Sequence, residues 1–338
     1  MGSVNIKQLA LKLNLSISTV SRALSDGYDI SEQTKSKVLE LAKKLNYQPN
    51  PYASSLRKHK SKTIAIVVPE IANNFFSLAI NGIQSVAREK GYHVLIYLTH
   101  EDYAIEAEVL KHLQNGRVDG VLISISSKTV KKDHFKELKQ TGLPMIFFDR
   151  VCDEIQTAKV TTDDYESGYK ATQHLIERQC KRIAYLLVSK NLSIGINRMQ
   201  GYLDALKNNN IKVDSKLIVN GSNDKDRNFL LIEKLLKTDS RPDGLFASVE
   251  HLAVTSYHVC NHLKLSIPRE IKIISFSNLE TAPLLNPSLT TITQPAFNIG
   301  KEAAAILFRA LTKKQFTLPD NKIVLPSTLV PRDSTAVL

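Results

Sequence analysis

Residues 5–24 read N-I-K-Q-L-A-L-K-L-N-L-S-I-S-T-V-S-R-A-L, and two short helices can be cut from them with almost nothing in between. Asn5 suits an N-cap, and Ile6, Leu9, Ala10 and Leu13 then recur at the three- and four-residue spacing of an amphipathic helix. Ser16 suits a second cap, with Val20, Ala23 and Leu24 turned inward. Only Leu13, Asn14 and Leu15 separate the first helix from the second cap, so the two must cross sharply. A third helix is predicted from Ser31 (S-E-Q-T), with Val38, Leu41, Ala42 and Leu45 on one face.

The second helix leaves Ile17, Ser18, Ser21 and Arg22 outward. Such a helix fits the major groove of DNA, where base edges carry a distinguishable code. Arg22 can bond guanine O6 and N7, Ser18 can meet a donor or an acceptor, and Ile17 offers apolar contact to a thymine methyl. Thr19 and Ser21 are short hydroxyls suited to phosphates. The pattern alone leaves open a plain helical hairpin with a polar surface.

Charge supports the first reading. The chain has 338 residues and a net charge of +12. Residues 1–62 carry 11 Lys and Arg against 4 Asp and Glu, while the other 276 carry 34 against 29. More than half the excess thus lies in less than a fifth of the chain, the footprint of a small nucleic-acid-binding head on a nearly neutral body. Gln48-Pro-Asn-Pro51 ends the third helix, Asn50 can cap a short one, and Lys58-His-Lys-Ser-Lys62 reads as a basic linker.

From Thr63 the period changes. Ile64–Val68 is a β-branched run followed by an amphipathic helix, and strands are predicted near 92–98, 119–125, 144–148, 182–188, 216–219, 243–247 and 271–276 with helices between them. Such alternation means parallel sheets with right-handed crossovers. A break near Asp149–Asp163 divides the run into two halves, and a cleft between two sheets follows, with ligands outside the carboxyl ends of the strands. Cys152, Cys180 and Cys260 are too dispersed for a metal site or a disulfide framework and read as buried free thiols. No signal peptide or membrane span is visible, and a cytoplasmic protein is expected.

The stretches V-N-I-K-Q-L-A, L-S-I-S-T-V-S-R-A-L-S and I-S-E-Q-T-K-S-K-V-L-E-L-A-K-K-L-N-Y-Q-P-N resemble the DNA-binding head of the lactose/galactose repressor (LacI/GalR) family. The resemblance continues through I-A-I-V-V-P-E-I-A-N-N-F-F, F-F-D-R, Arg198-x-x-Gly201-Tyr202, R-P-D-G-L-F-A, L-T-T-I-T-Q-P and L-V-P-R-D-S-T, and so covers essentially the whole chain. It implies an all-α helix-turn-helix head on an α/β body like the periplasmic binding proteins, with two doubly wound parallel-sheet lobes. The implied divisions are a head at 1–48, a hinge helix and linker at 49–62, a first lobe of 63–161 plus about 291–320, and a second of 162–290 plus about 321–338.

The resemblance also implies roles. Ile17, Ser18 and Arg22 match base-reading positions. Asn5, Ser16, Thr19, Ser21, Ser31, Thr34 and Tyr47 match phosphate-contacting or head-packing positions. Asn50, Ala53 and Leu56 match the hinge helix, with Leu56 the apolar wedge between base steps in the minor groove; its plainer reading is a linker residue packed on the body. Phe75, Phe76, Asp149, Arg150, Arg198, Asn223, Val249, Glu250, Ser277 and Gln294 match effector-binding positions, and each could instead be an ordinary loop or helix-start residue. The chain departs from the family where Ser277 replaces an aspartate that often binds the ligand, and where Val249-Glu250 replaces Asn-Asp. Either Glu250 and Asp149 compensate, or the effector is not a typical neutral sugar.

The reading is therefore a DNA-binding regulator, in the first instance a repressor, with a small effector, pseudo-palindromic operator DNA and a second copy of the chain as partners, and without cofactor or metal. A dimer rather than a tetramer is expected, since no leucine heptads follow the S-T motif. A sensor of the sugar-receptor type with no DNA role is the main alternative. A cleft enzyme is a second, but no phosphate loop, H-E-x-x-H or G-x-S-x-G is present. Asp163-Asp164 reads as a helix-capping pair.

Overall fold

Asn5, Ser16 and Ser31 each begin a helix in the computed structural model of the chain, which describes residues 4–47, 60–189, 191–312, 318 and 320–337. The chain divides into two units between Ser61 and Lys62. In the first, α1 is Ile6–Leu13, α2 is Ile17–Leu24 and α3 is Glu32–Lys44. Asn5 and Gln8 form a reciprocal capping box, with bonds of 3.0 and 3.1 Å. Asn14 takes a left-handed φ of 51°, which stops α1 and turns the chain within one residue. Leu9, Ala10, Val20, Ala23, Val38 and Ala42 form the core, and Leu41 and Leu45 are only half-buried. Burying Leu9, Val20 and Val38 contributes roughly 1.5–3 kcal/mol each.

The second unit holds two six-stranded sheets. In chain order the first-lobe elements are β1 (Thr63–Val68), α4 (Asn74–Glu89), β2 (His93–Leu98), α5 (Tyr103–Leu113), β3 (Gly120–Ile123), α6 (Asp133–Gln140), β4 (Met145–Phe148) and β5 (Lys159–Thr162). The second lobe follows with α7 (Asp164–Glu177), β6 (Ile183–Leu187), α8 (Ser193–Asn208), β7 (Ile218–Asn220), α9 (Lys225–Leu236), β8 (Gly244–Ala247), α10 (Glu250–Leu263), β9 (Lys272–Phe276) and β10 (Thr290–Thr293). The chain then returns through α11 (Ala296–Thr312) and β11 (Lys322–Leu325) before β12 (Thr328–Val330). The strand orders are β11-β5-β4-β3-β1-β2 and β12-β10-β9-β8-β6-β7. Among the described strands every pairing is parallel except β10 with β12.

Parallel strands covered on both faces need apolar side chains on both. In β1, Ile64, Ile66 and Val68 enter the core under α4 and α11, while Ala65 and Val67 enter the opposite core with residues of α5 and α6. Each lobe also locks two helices at backbone contact. A Cβ on Gly82 would lie 2.0 Å from the Phe297 carbonyl oxygen, and one on Gly300 2.0 Å from that of Ala79. In the second lobe a Cβ on Gly168 would lie 2.4 Å from the Arg198 carbonyl oxygen, and one on Gly201 2.2 Å from that of Tyr165.

The lobe boundaries differ from those implied by the sequence. Thr290–Thr293 belongs to the second sheet, whereas Lys322–Leu325, expected in the second lobe, pairs with Lys159–Thr162 in the first. The last crossover therefore falls between Leu325 and Thr328. Nor does Asp163-Asp164 cap a helix through its side chains. Asp163 Oδ1 instead accepts from the Ser327 backbone N–H at 2.7 Å, Ser167 Oγ at 2.9 Å and Thr162 Oγ1 at 3.1 Å, stapling two crossovers together.

Candidate functional site

On the head, the outer face of α2 is set by its buried face. Val20 and Ala23 are turned into the core, so Ile17 and Arg22 stand exposed and Ser18 half-exposed. Ser16 Oγ accepts from the Thr19 backbone N–H at 3.1 Å and meets Ser18 Oγ at 2.7 Å and Thr19 Oγ1 at 2.8 Å. Arg22 pairs with Asp29, and its Nε reaches the Ser18 carbonyl at 3.4 Å. This exposed arginine thus has a partner on its own chain, in the link between α2 and α3. Ser31 caps α3 and bonds Thr34 Oγ1 at 2.9 Å. Ser21 is half-buried, and its carbonyl accepts from Ser25 Oγ at 2.9 Å. Tyr47 packs against the head core, where burial pushes its phenol up. Asn50, Ala53 and Leu56 lie outside the described residues.

In the body, all ten residues expected at an effector site border one of two adjoining chambers between the lobes. The inner encloses about 390 Å³ of empty space and the outer about 520 Å³, the solvent in their open mouths included. Phe75, Phe76, Asp149, Arg150, Arg198, Val249, Glu250, Ser277 and Gln294 border the inner chamber, and Asn223 the outer. Phe75 and Phe76 sit in the first turn of α4 and belong to the core beneath it, with Phe76 only 1% exposed.

The charged groups are paired in layers. Asp149 ends β4 in a left-handed conformation, φ 59°, with its carboxylate buried. Burial raises its pKa, opposed by the charges of Arg150 and Arg198. Arg150 donates to Glu101 at 2.7 Å, and its guanidinium lies 5.5 Å from the centre of the Phe76 ring. Burial works against the Glu101 charge, but Arg150 and the Ser127 N–H hold its carboxyl below the usual range. Arg198 is 3% exposed, donates through Nε to Asp164 at 2.8 Å and through Nη1 to the Ser248 carbonyl at 2.7 Å, and lies 3.7 Å over the Phe276 ring.

At Ser277, where the family's aspartate is absent, the hydroxyl donates to Glu250 Oε2 at 3.0 Å. A carboxylate therefore stands one hydrogen bond away from the missing one. Burial raises the Glu250 pKa, opposed by that hydroxyl and by the backbone N–H groups of Asn74 and Asn278. Glu250 and Asp149, the two carboxylates named as able to compensate, both border the same chamber as Ser277.

Sequence reasoning did not single out Asn73, Ile194, Ser248, Phe276 or Asn278 on the inner wall, nor Asp164 and Glu101 behind it. Phe276 was within reach as the last apolar residue of β9, since strand ends line such clefts. Among the described residues no group of His, Cys, Asp and Glu is arranged to hold a metal ion, and no helix is long and apolar enough to cross a membrane. Cys152, Cys180 and Cys260 are buried and unpaired.

Residues 5–50 match the family described as bacterial regulatory proteins, lacI family, and residues 61–326 match the periplasmic binding proteins and sugar binding domain of the LacI family. The chain is 29% identical over 336 residues to catabolite control protein A of Priestia megaterium, covering 98% of this chain and 99% of that one. It is 30% identical over 340 residues to the HTH-type transcriptional regulator MalR of Clostridium butyricum, again covering 98% and 99%. In fold it matches the lac repressor dimer bound to operator and the anti-inducer ONPF, with a TM-score of 0.85 at 20% identity over 99% of each chain. A LacI family regulator from Enterococcus faecium with bound ribose matches at a TM-score of 0.71 and 28% identity, over 82% of this chain and 99% of that one. The chain belongs to the LacI family of DNA-binding transcriptional regulators.

Proposed function

We propose that this regulator is a cytoplasmic repressor whose hold on operator DNA is set by a small polar metabolite, a carbohydrate or a derivative of one, bound between the lobes of its body. One observation carries the reading. Asp149, Arg198, Glu250, Ser277 and Gln294, from separate segments and both lobes, converge with Phe75 and Phe276 on one cleft. Buried carboxylates and a guanidinium offer acceptors and donors to hydroxyls, and the aromatic residues offer a surface to an apolar ring face. Solved relatives of the same fold carry cellobiose and ribose, which agrees with that chemistry.

On the head, Ile17, Ser18 and Arg22 read bases, Asn5, Ser16, Thr19, Ser21, Ser31 and Thr34 serve the backbone or the packing of the head, and Tyr47 supports the core. Two copies read the two halves of a pseudo-palindromic site. Effector closure of the cleft shifts the first lobes of the dimer and alters the spacing of residues 49–62, where Asn50, Ala53 and Leu56 meet the minor groove. The cleft binds its metabolite without converting it.

The test is selection of operator sequences from random DNA, followed by a gel shift at fixed salt with candidate sugars. A symmetric site with guanine opposite Arg22, and a sugar that changes its affinity, is the expected result. Binding without a symmetric site, or turnover of the sugar, refutes the proposal.

A further inference from the structure

Asp164 borders neither chamber of the cleft, yet it is 5% exposed and bonded to the guanidinium that does. Arg198 has five N–H donors. One is held by Asp164 at 2.8 Å and one by the Ser248 carbonyl at 2.7 Å, with the Phe276 ring 3.7 Å below the group. The donors left over are those available to a ligand. The elements carrying the pair cannot close further: Gly168, one turn after Asp164, and Gly201, one turn after Arg198, are the positions at which α7 and α8 meet backbone to backbone. That contact sets where the carboxylate stands relative to the guanidinium.

We propose that Asp164 is a positioning residue of the effector grip: its carboxylate aims Arg198 into the cleft, and its charge holds that pose. The proposal rests on the cleft being the effector site. Several groups face Asp164. Arg198 projects from α8, Asp149 from the end of β4, Lys322 from β11 and the Tyr185 phenol from β6, with Asp163 its chain neighbour. Burial pushes Asp164 up to about 6, against the pull of Arg198, with Asp149 adding repulsion and Lys322 opposing it. The carboxylate is thus ionised at neutral pH and neutral in mild acid. Once it is neutral, the charge that held Arg198 against its own lobe is gone, although the hydrogen bond can persist. The guanidinium is then held in its ligand-facing pose less firmly.

The test uses the full-length protein. Asp164→Asn keeps an acceptor for Arg198 Nε and removes the charge; Asp164→Glu keeps the charge and displaces it by one methylene. The ligand-free readout is the Arg198 Nε–H resonance, assigned by its loss in Arg198→Lys. It is expected to titrate with a midpoint near 6 in the wild type, to keep an inflection in Asp164→Glu and to lose it in Asp164→Asn. A resonance that is flat in the wild type, or that titrates identically in Asp164→Asn, overturns the proposal. Ribose and cellobiose are then titrated calorimetrically. A sugar that binds the wild type is expected to bind both variants about tenfold more weakly at neutral pH, the size of one charge-assisted contact. Asp164→Asn should also lose less affinity in mild acid than the wild type, a comparison that cancels the titration of Asp149, Glu250 and His251 in the same cleft. Unchanged affinity with an unchanged acid response overturns the proposal. If neither sugar binds the wild type, the carbohydrate reading is what fails, and the resonance still decides the role of Asp164.

Discussion

Replacing Glu106 with leucine should destabilise the body by about 3–5 kcal/mol, although the residue lies in the first turns of a helix and is far from any obvious motif. Its side chain is 0% exposed and accepts from the Ser126 backbone N–H at 2.7 Å, from Thr129 Oγ1 at 2.7 Å and from His134 Nε2 at 2.9 Å. One carboxylate therefore holds both ends of the segment 126–134, whose Ser127 borders the outer chamber. Leucine leaves three buried donors without an acceptor, at roughly 1–3 kcal/mol each before the segment relaxes. Glutamine keeps an acceptor for Ser126, and its amide can donate to a His134 ring in the other tautomer, so about half of that loss is expected. For a body of this size 1 kcal/mol moves the melting temperature by roughly 2–4 °C. Leucine should thus lower it by about 10 °C and glutamine by about 5 °C, as measured by circular dichroism at fixed pH and salt. A drop of less than about 3 °C for leucine, or equal drops for the two variants, would refute the view that hydrogen-bond satisfaction at Glu106 holds this wall of the cleft.

Other consequences follow from the head and from the buried charges. Leu9→Ala empties the centre of a small core and should cost about 2–5 kcal/mol, enough to unfold the head and abolish operator binding while the body's melting transition stays in place. Asp29→Asn removes the partner that DNA must displace from Arg22; operator affinity should rise about two- to fivefold, and the gain should vanish in an Arg22→Ala background. Asp164 has a pH signature in stability as well as in binding. Its folded pKa of about 6 lies above the ordinary 3.8, so the folded body keeps a proton that the unfolded chain has released. Stability should therefore fall by about 3 kcal/mol as pH rises from about 4 to above 6, and Asp164→Asn should remove that part of the slope in thermal melts.

The head is legible because its determinants are local. A cap, two to four apolar positions and a short link lie within twenty residues, and the capping bonds at Asn5, Ser16 and Ser31 appear where the spacing puts them. The buried apolar runs of β1, β6 and β8 are legible for the same reason. The strands that went unassigned are β5, β10, β11 and β12. K-V-T-T and T-T-I-T alternate too weakly to announce themselves, and Lys322–Leu325 is a half-exposed edge strand. Their identity comes from pairing with partners distant in sequence: Lys159 faces Lys322, and Thr291 faces Val330. Asp163 and Asp164, adjacent and alike on paper, part company for the same reason. One staples the crossovers and the other holds Arg198, and only the contact of α7 with α8 tells them apart.

Periodicity, caps and charge distribution, read from the chain alone, determine a basic helical head on an alternating α/β body, and the quoted motifs place ten residues at a cleft. Tertiary structure decides the electrostatics there. A carboxylate's charge and a guanidinium's aim depend on burial and on groups arriving from elsewhere in the chain. Asp164 stands behind Arg198, Glu101 beside Arg150 and Glu250 against Ser277, and no one-dimensional spacing encodes such neighbours.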